Sequence, residues 1–132
     1  MRFLSFLLLV FFCSCNSSGF QKKIAGSDSL VINFYGSGMD SIIKTVTTTE
    51  KNAINRLSQF IDSRSTEQFK CGYDGNMIFY SKGEALLPIA FKYKEAGCRH
   101  FLFELDGKLV STAINNEAAD FLQSLEEGEN TY

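Results

Sequence analysis

The chain has 132 residues and a formal charge of −2 at neutral pH. That length supports a single hydrophobic core and no more. With no basic block, nucleic acid is excluded as a natural partner, and no strongly attractive surface is offered to anionic lipid headgroups. The 13 Phe and 5 Tyr, with no Trp and 1 Pro, predict a Phe-rich core.

Met1-Arg2 is followed by an almost unbroken apolar run, Phe3 to Phe12, relieved only by Ser5. One positive charge ahead of about ten apolar residues is the layout of a secretory signal. The run is too short to cross a hydrocarbon core, which takes about 20 apolar residues as a helix. It therefore reads as a cleaved export signal. Directly behind it comes Cys13-Ser14-Cys15-Asn16-Ser17-Ser18. A cysteine after an apolar run, with a small residue in front of it, resembles the lipobox of bacterial lipoproteins. In that family the thiol carries a diacylglycerol, the signal is cut in front of the cysteine, and the new amine is acylated. Ser14 is small enough for the cleavage site and Phe12 is not, so the resemblance points to Cys15 and not to Cys13. It covers residues 1–18. It implies a cell-envelope protein, periplasm-facing or on the cell surface, held to a bacterial membrane by lipid on Cys15. An ordinary cleaved signal with two incidental cysteines is the competing reading.

Under the lipoprotein reading, residues 1–14 are the removed signal. Residues 15–29, rich in Ser, Gly and Lys without apolar periodicity, are expected to form a flexible tether with a reach of about 20 Å. The same reading divides the four cysteines. Cys13 leaves with the signal, Cys15 takes the lipid, and Cys71 and Cys98 remain as a pair. In an oxidising compartment that pair is most simply a disulfide, adding about 3.5 kcal/mol of stability on the chain-entropy model.

Residues 30–126 are expected to form a single α+β domain. Leu30 to Tyr35 alternates as a strand, Gly36 to Asp40 is a turn, and Ile42 to Thr48 is β-branched enough for a second strand. Glu50 to Asp62 carries Ala53, Ile54, Leu57, Phe60 and Ile61 at helical spacing, with Thr47 and Glu50 as a possible capping box. A strand is expected at Phe69–Gly72, then a hairpin at Tyr73-Asp74-Gly75-Asn76 and a strand over Met77–Ser81. Lys82-Gly83-Glu84 turns the chain into Leu86–Lys94, where Pro88 argues for a strand start or an edge. Cys98–Leu105 and Lys108–Ala113 pair around Asp106-Gly107, and Asn116 to Leu125 is a second helix. Residues 127–132 are expected to be a frayed acidic tail, because acids oppose the dipole at a helix C-terminus. The order β-β-α-β-β-β-β-β-α predicts an antiparallel sheet of five to seven strands with both helices on one face.

Gly36-Ser37-Gly38 follows a strand as phosphate-binding turns do. A β-branched run begins at Ile42 where a helix should start, so no helix dipole faces that turn. Cys98-Arg99-His100 places a thiol and an imidazole on one side of a strand. Zinc would need a fourth ligand that no cysteine or histidine spacing supplies, and a catalytic thiolate cannot be locked in a disulfide. No catalytic, cofactor or metal site is assigned, and the reading is of a non-enzyme. Strand parity instead collects Tyr35, Tyr80, Lys92, Lys94 and His100 on the sheet face away from the helices. Tyrosine mixed with charge suits recognition of an envelope protein; a solvated sheet face is the plain alternative. A small-molecule or glycan carrier is the second functional reading. Phe69 to Gly75, followed by Ile78-Phe79-Tyr80, is locally similar to the cysteine-containing hairpin of periplasmic lysozyme-inhibitor lipoproteins. The inhibitory Ser-Gly-x-x-Tyr loop of that family is absent here, so no inhibitory residue is carried over.

Overall fold

The computed structural model describes residues 18–129. The segment expected to be an export signal, Cys13, Cys15 with the lipid expected on it, and the last three residues lie outside the described residues. The elements in chain order are α1 (Gly19–Ile24), β1 (Ser29–Tyr35), β2 (Ile42–Thr48), α2 (Lys51–Ile61), β3 (Gly75–Ser81), β4 (Glu84–Lys92), β5 (His100–Leu105), β6 (Lys108–Ala113) and α3 (Asn116–Glu126). The fold is α+β, as the sequence predicts. One antiparallel sheet runs in the order β2-β1-β3-β4-β5-β6.

Alternation decides which side of the sheet is covered. Leu30, Ile32 and Phe34 of β1, Met77 and Phe79 of β3, Leu87, Ile89 and Phe91 of β4, and Phe101 and Phe103 of β5 are all buried. They form one cluster with the apolar stripes of the three helices. Side chains two apart on a strand share a face, so one helical layer suffices. Phe34 and Phe91 meet edge-on at 5.7 Å. Between α2 and α3, Phe60 lies 5.8 Å from Phe121, with the Arg56 guanidinium 4.5 Å above the Phe121 ring. Both tight hairpins, Lys82-Gly83 and Asp106-Gly107, have positive φ at both central residues. That is the turn whose twist matches the flanking strands.

Several expectations are corrected. The tether expected over residues 15–29 does not extend through residue 24. Residues 19–24 form α1, which buries Phe20 and Ile24 in the core. The strand expected at Phe69–Gly72 does not form. Residues 62–74 instead leave α2, run briefly along β6 through a bridge between Ser65 and Thr112, and cross the outer face of the sheet. Gly72, at φ +72°, bends the chain where a strand would continue. The expected hairpin at 73–76 is the start of β3, with Asp74 already bonded to both neighbours: Tyr35 N donates to its carbonyl at 2.8 Å and its own N–H reaches Phe91 O at 2.8 Å. The capping box expected from Thr47 and Glu50 does not form: Glu50 is the N-cap of α2 with no side-chain cap, and its own N–H donates to Thr48 Oγ1 at 3.1 Å. Pro88 lies inside β4, neither at its start nor on an edge strand. The β4–β5 ladder covers only Ala90 to Lys92, so Pro88 interrupts no bond there. The expected fraying does not begin at residue 127. Gly128, at φ +80°, donates to Leu125 O and Glu129 N to Ser124 O, which is a Schellman stop.

Candidate functional site

Chemistry-bearing residues concentrate at the end of the sheet where β1 finishes, β3 begins and β4 leaves the ladder. Gly75 makes the close packing there possible. A Cβ on it would stand 2.1 Å from Asn33 O and 2.5 Å from Phe91 Cζ, so only glycine lets β3 start between β1 and β4. The preceding residue, Asp74, is thereby held under the chain. Its carboxylate accepts from Tyr93 N at 2.8 Å, Lys94 N at 2.9 Å and Lys92 Nζ at 3.1 Å. Burial alone would raise its pKa, but the two amides and the Lys92 charge together hold it below the ordinary carboxylate value. Lys92 shows the reverse balance. Burial lowers its pKa, yet Asp74 and Glu95 (3.3 Å) outweigh that and raise it.

A second buried group lies beside this pair. Burial, then the bond from Tyr93 Oη to the Glu126 carboxylate, pushes the Tyr93 hydroxyl far above its ordinary range. Glu126 also receives Lys94 Nζ at 3.0 Å, and its carbonyl takes Lys44 Nζ at 2.9 Å. The end of α3 is thus stitched to β2 and to the chain after β4.

The Cys71–Cys98 disulfide forms as expected, across a Cα separation of 6.1 Å. Neither cysteine is in a strand: Cys71 is in the crossing segment and Cys98 in a short 3₁₀ turn, Ala96–Cys98. The parity of strand neighbours therefore places no constraint on them. Glu95 lies close to both sulfurs, but the sulfurs are bonded to each other and Glu95 faces Lys92. His100 Nδ1 donates to the carbonyl of Cys98 at 2.9 Å. Its Nε2 is buried and meets no partner among the described residues. Phe69 and Tyr73 of the crossing segment close over the ring at 5.4 and 5.9 Å.

The five residues expected on an open face separate accordingly. Tyr35, Lys92 and Lys94 line one cleft of about 610 Å³ with the β1–β2 loop and the crossing segment. Lys92 is only 8% exposed and His100 is fully buried, so neither is on an open face. The crossing segment covers this part of the outer face. Tyr80 is at the far end of the sheet, opposite Ser29 and Ala85. A second cleft of about 590 Å³ lies toward α3, and Ile43 and Lys94 form the ridge between the two.

The reading of the sequence missed Asp74, Tyr73, Met39 and Ile43. Asp74 was explained as a turn residue, although an acid between Gly72 and Gly75 is also what a buried carboxylate on a constricted chain looks like. Met39 and Ile43 carried no periodic signal. Met39 has φ +62°, and its Sδ accepts from Tyr73 N at 3.0 Å, joining the β1–β2 loop to the crossing segment. Comparisons with protein-family models, curated proteins and solved structures find no match for this chain.

Proposed function

We propose that this is a lipid-anchored protein of the bacterial cell envelope, held to a membrane through Cys15, whose domain binds a partner protein at the cleft end of its sheet. The observation that carries the binding reading is the exposure of Met39, Ile42 and Ile43, at 50, 56 and 59%. They are contiguous with Tyr35, Tyr73 and Lys94 around clefts clamped by a disulfide. Exposed apolar side chains beside aromatic residues and a polar rim are the make-up of a protein interface. The non-enzymatic reading is supported by the charged groups at the site. Asp74, Lys92 and Glu95 are already committed to one another and Glu126 to Lys94 and Tyr93, while the His100 ring is buried and its Nδ1 is taken by the Cys98 carbonyl. The second reading, a small-molecule or glycan carrier, draws on the cleft volumes, which fall in the range that holds such ligands.

Capture from its own envelope by the full acylated chain tests both readings. Tyr35→Ala should weaken capture of a dominant protein by about 2 kcal/mol, while Tyr80→Ala should leave it unchanged. The opposite pattern would put the interface on the far half of the sheet. A small ligand carried through purification, with no protein retained, would favour the carrier.

A further inference from the structure

The lipid-anchor reading, on which this inference rests, acquires a geometric consequence from α1. Ser18 is already fixed to the domain. Its Oγ accepts from Gln21 N at 3.1 Å, capping α1, and donates to Asp62 Oδ2 at 2.8 Å, at the end of α2. Two residues later Phe20 is only 2% exposed, packed 5.3 Å from Phe103 and 6.2 Å from Phe79. Only Asn16 and Ser17 separate this fixed point from Cys15. Whatever their conformation, three residue spacings reach no more than about 11 Å.

We infer that the domain is not a freely tethered body but is held with α1 and the neighbouring β5–β6 turn against the phospholipid surface, and with its cleft directed away from it. α1 packs across β4 and β5, with Gly19 beside Leu105 at the tip of β5. The exposed Lys22 and Lys23 follow Ser18 within about 6–8 Å along a helix rising about 1.5 Å per residue. They are the cations presented to the headgroups. Asp62 and Asp106 lie at the same end, so the acyl anchor does the holding and not a net positive charge. The β1–β2 loop occupies the diagonally opposite corner. It is at the other end of strands about 20 Å long and beyond β3 toward the β2 edge. A partner would therefore meet the cleft from the aqueous side.

The test uses the full acylated, isotopically labelled chain in bilayer nanodiscs of phosphatidylethanolamine and phosphatidylglycerol, doped with a lipid bearing a paramagnetic headgroup. Amide signals of Gly19–Ile24 and of Asp106-Gly107 should broaden strongly, while those of Ser37–Met39 and Ala96–Cys98 keep their intensity. Inserting a long Gly-Ser segment between Asn16 and Ser17 should erase that contrast. Even broadening over the whole domain of the uninserted chain, or broadening strongest at the cleft, overturns the orientation while leaving the anchor intact. A contrast that survives the insertion also overturns it, because the short connection would not be its cause. Failure of the acylated chain to enter nanodiscs at all removes the anchor itself, and the inference with it.

Discussion

The two faces of this sheet are buried by different means. On the inner face three helices lay apolar stripes over an unbroken set of aromatic and aliphatic side chains, and the area removed from water does the stabilising. On the outer face, at the end away from α1, a single irregular segment crosses the strands. It covers His100 and helps bury Lys92, and it is fixed by one disulfide, a few backbone bonds and the carboxylate of Asp74. The inner face follows from strand periodicity and tolerates small changes of shape. The outer face depends on individual contacts, so the loss of one should loosen a region while leaving the core in place.

The largest effect is expected in the inner layer. Phe91 is fully buried against Phe34 and Tyr93, and Phe91→Ala should cost about 4 kcal/mol from lost transfer and cavity terms. Urea denaturation should show this as a lower midpoint with an unchanged slope. Replacing Cys71 and Cys98 together with Ala should cost slightly less, about 3.5 kcal/mol on the chain-entropy model. Here the two layers should part. Amides of residues 68–73 and the His100 ring should become accessible to hydrogen exchange, while the β1, β3 and β4 amides stay protected under native conditions. Simultaneous loss of protection in both layers would mean that they form one cooperative unit and are not separately stabilised.

The inner layer was legible because its strands state their period in the residues. Leu30, Ile32 and Phe34, or Phe101, Phe103 and Leu105, can face only one way if the alternating residues between them are to reach water. The outer cover was not legible, because whether His100 is exposed depends on a segment some thirty residues earlier whose own pattern misleads. Phe69 and Cys71 alternate as in a strand, yet they pack downward onto a sheet rather than sideways into one. α1 was missed for a different reason. Its Gly-Phe-Gln-Lys-Lys-Ile sequence has only two apolar residues, set four apart, which is too little for periodicity to register and reads as linker. Tyr35, Lys92 and Lys94 do line one cleft, but Lys92 is buried there and Lys94 lies beyond the end of β4, so strand parity alone does not place them. The group that organises them, Asp74, was hidden because Asp followed by Gly is also ordinary turn chemistry.

The smallest of the three effects is also the most specific to the outer layer. Asp74→Asn removes the charge opposite Lys92, whose side chain is 10% exposed, and leaves the backbone path unaltered. Breaking a buried pair this way should cost about 3 kcal/mol, at the low end of such cases, because Glu95 remains 3.3 Å from Lys92. The pH dependence identifies the cause. The folded pKa of Asp74 lies below the ordinary 3.8, so the folded state binds its proton more weakly than the unfolded chain does. Its contribution is then fully present above that ordinary value and drains away as pH falls through the folded pKa. Lys92 behaves oppositely. Its folded pKa is above the ordinary 10.5, so its share is complete below that value and is lost only as pH rises through the folded pKa. Between the two limits the stability difference between wild type and Asp74→Asn should be flat, and below about pH 4 the two curves should converge. A difference that persisted undiminished into strong acid would assign the loss to altered packing at the start of β3, and the carboxylate would no longer be what fastens the outer layer.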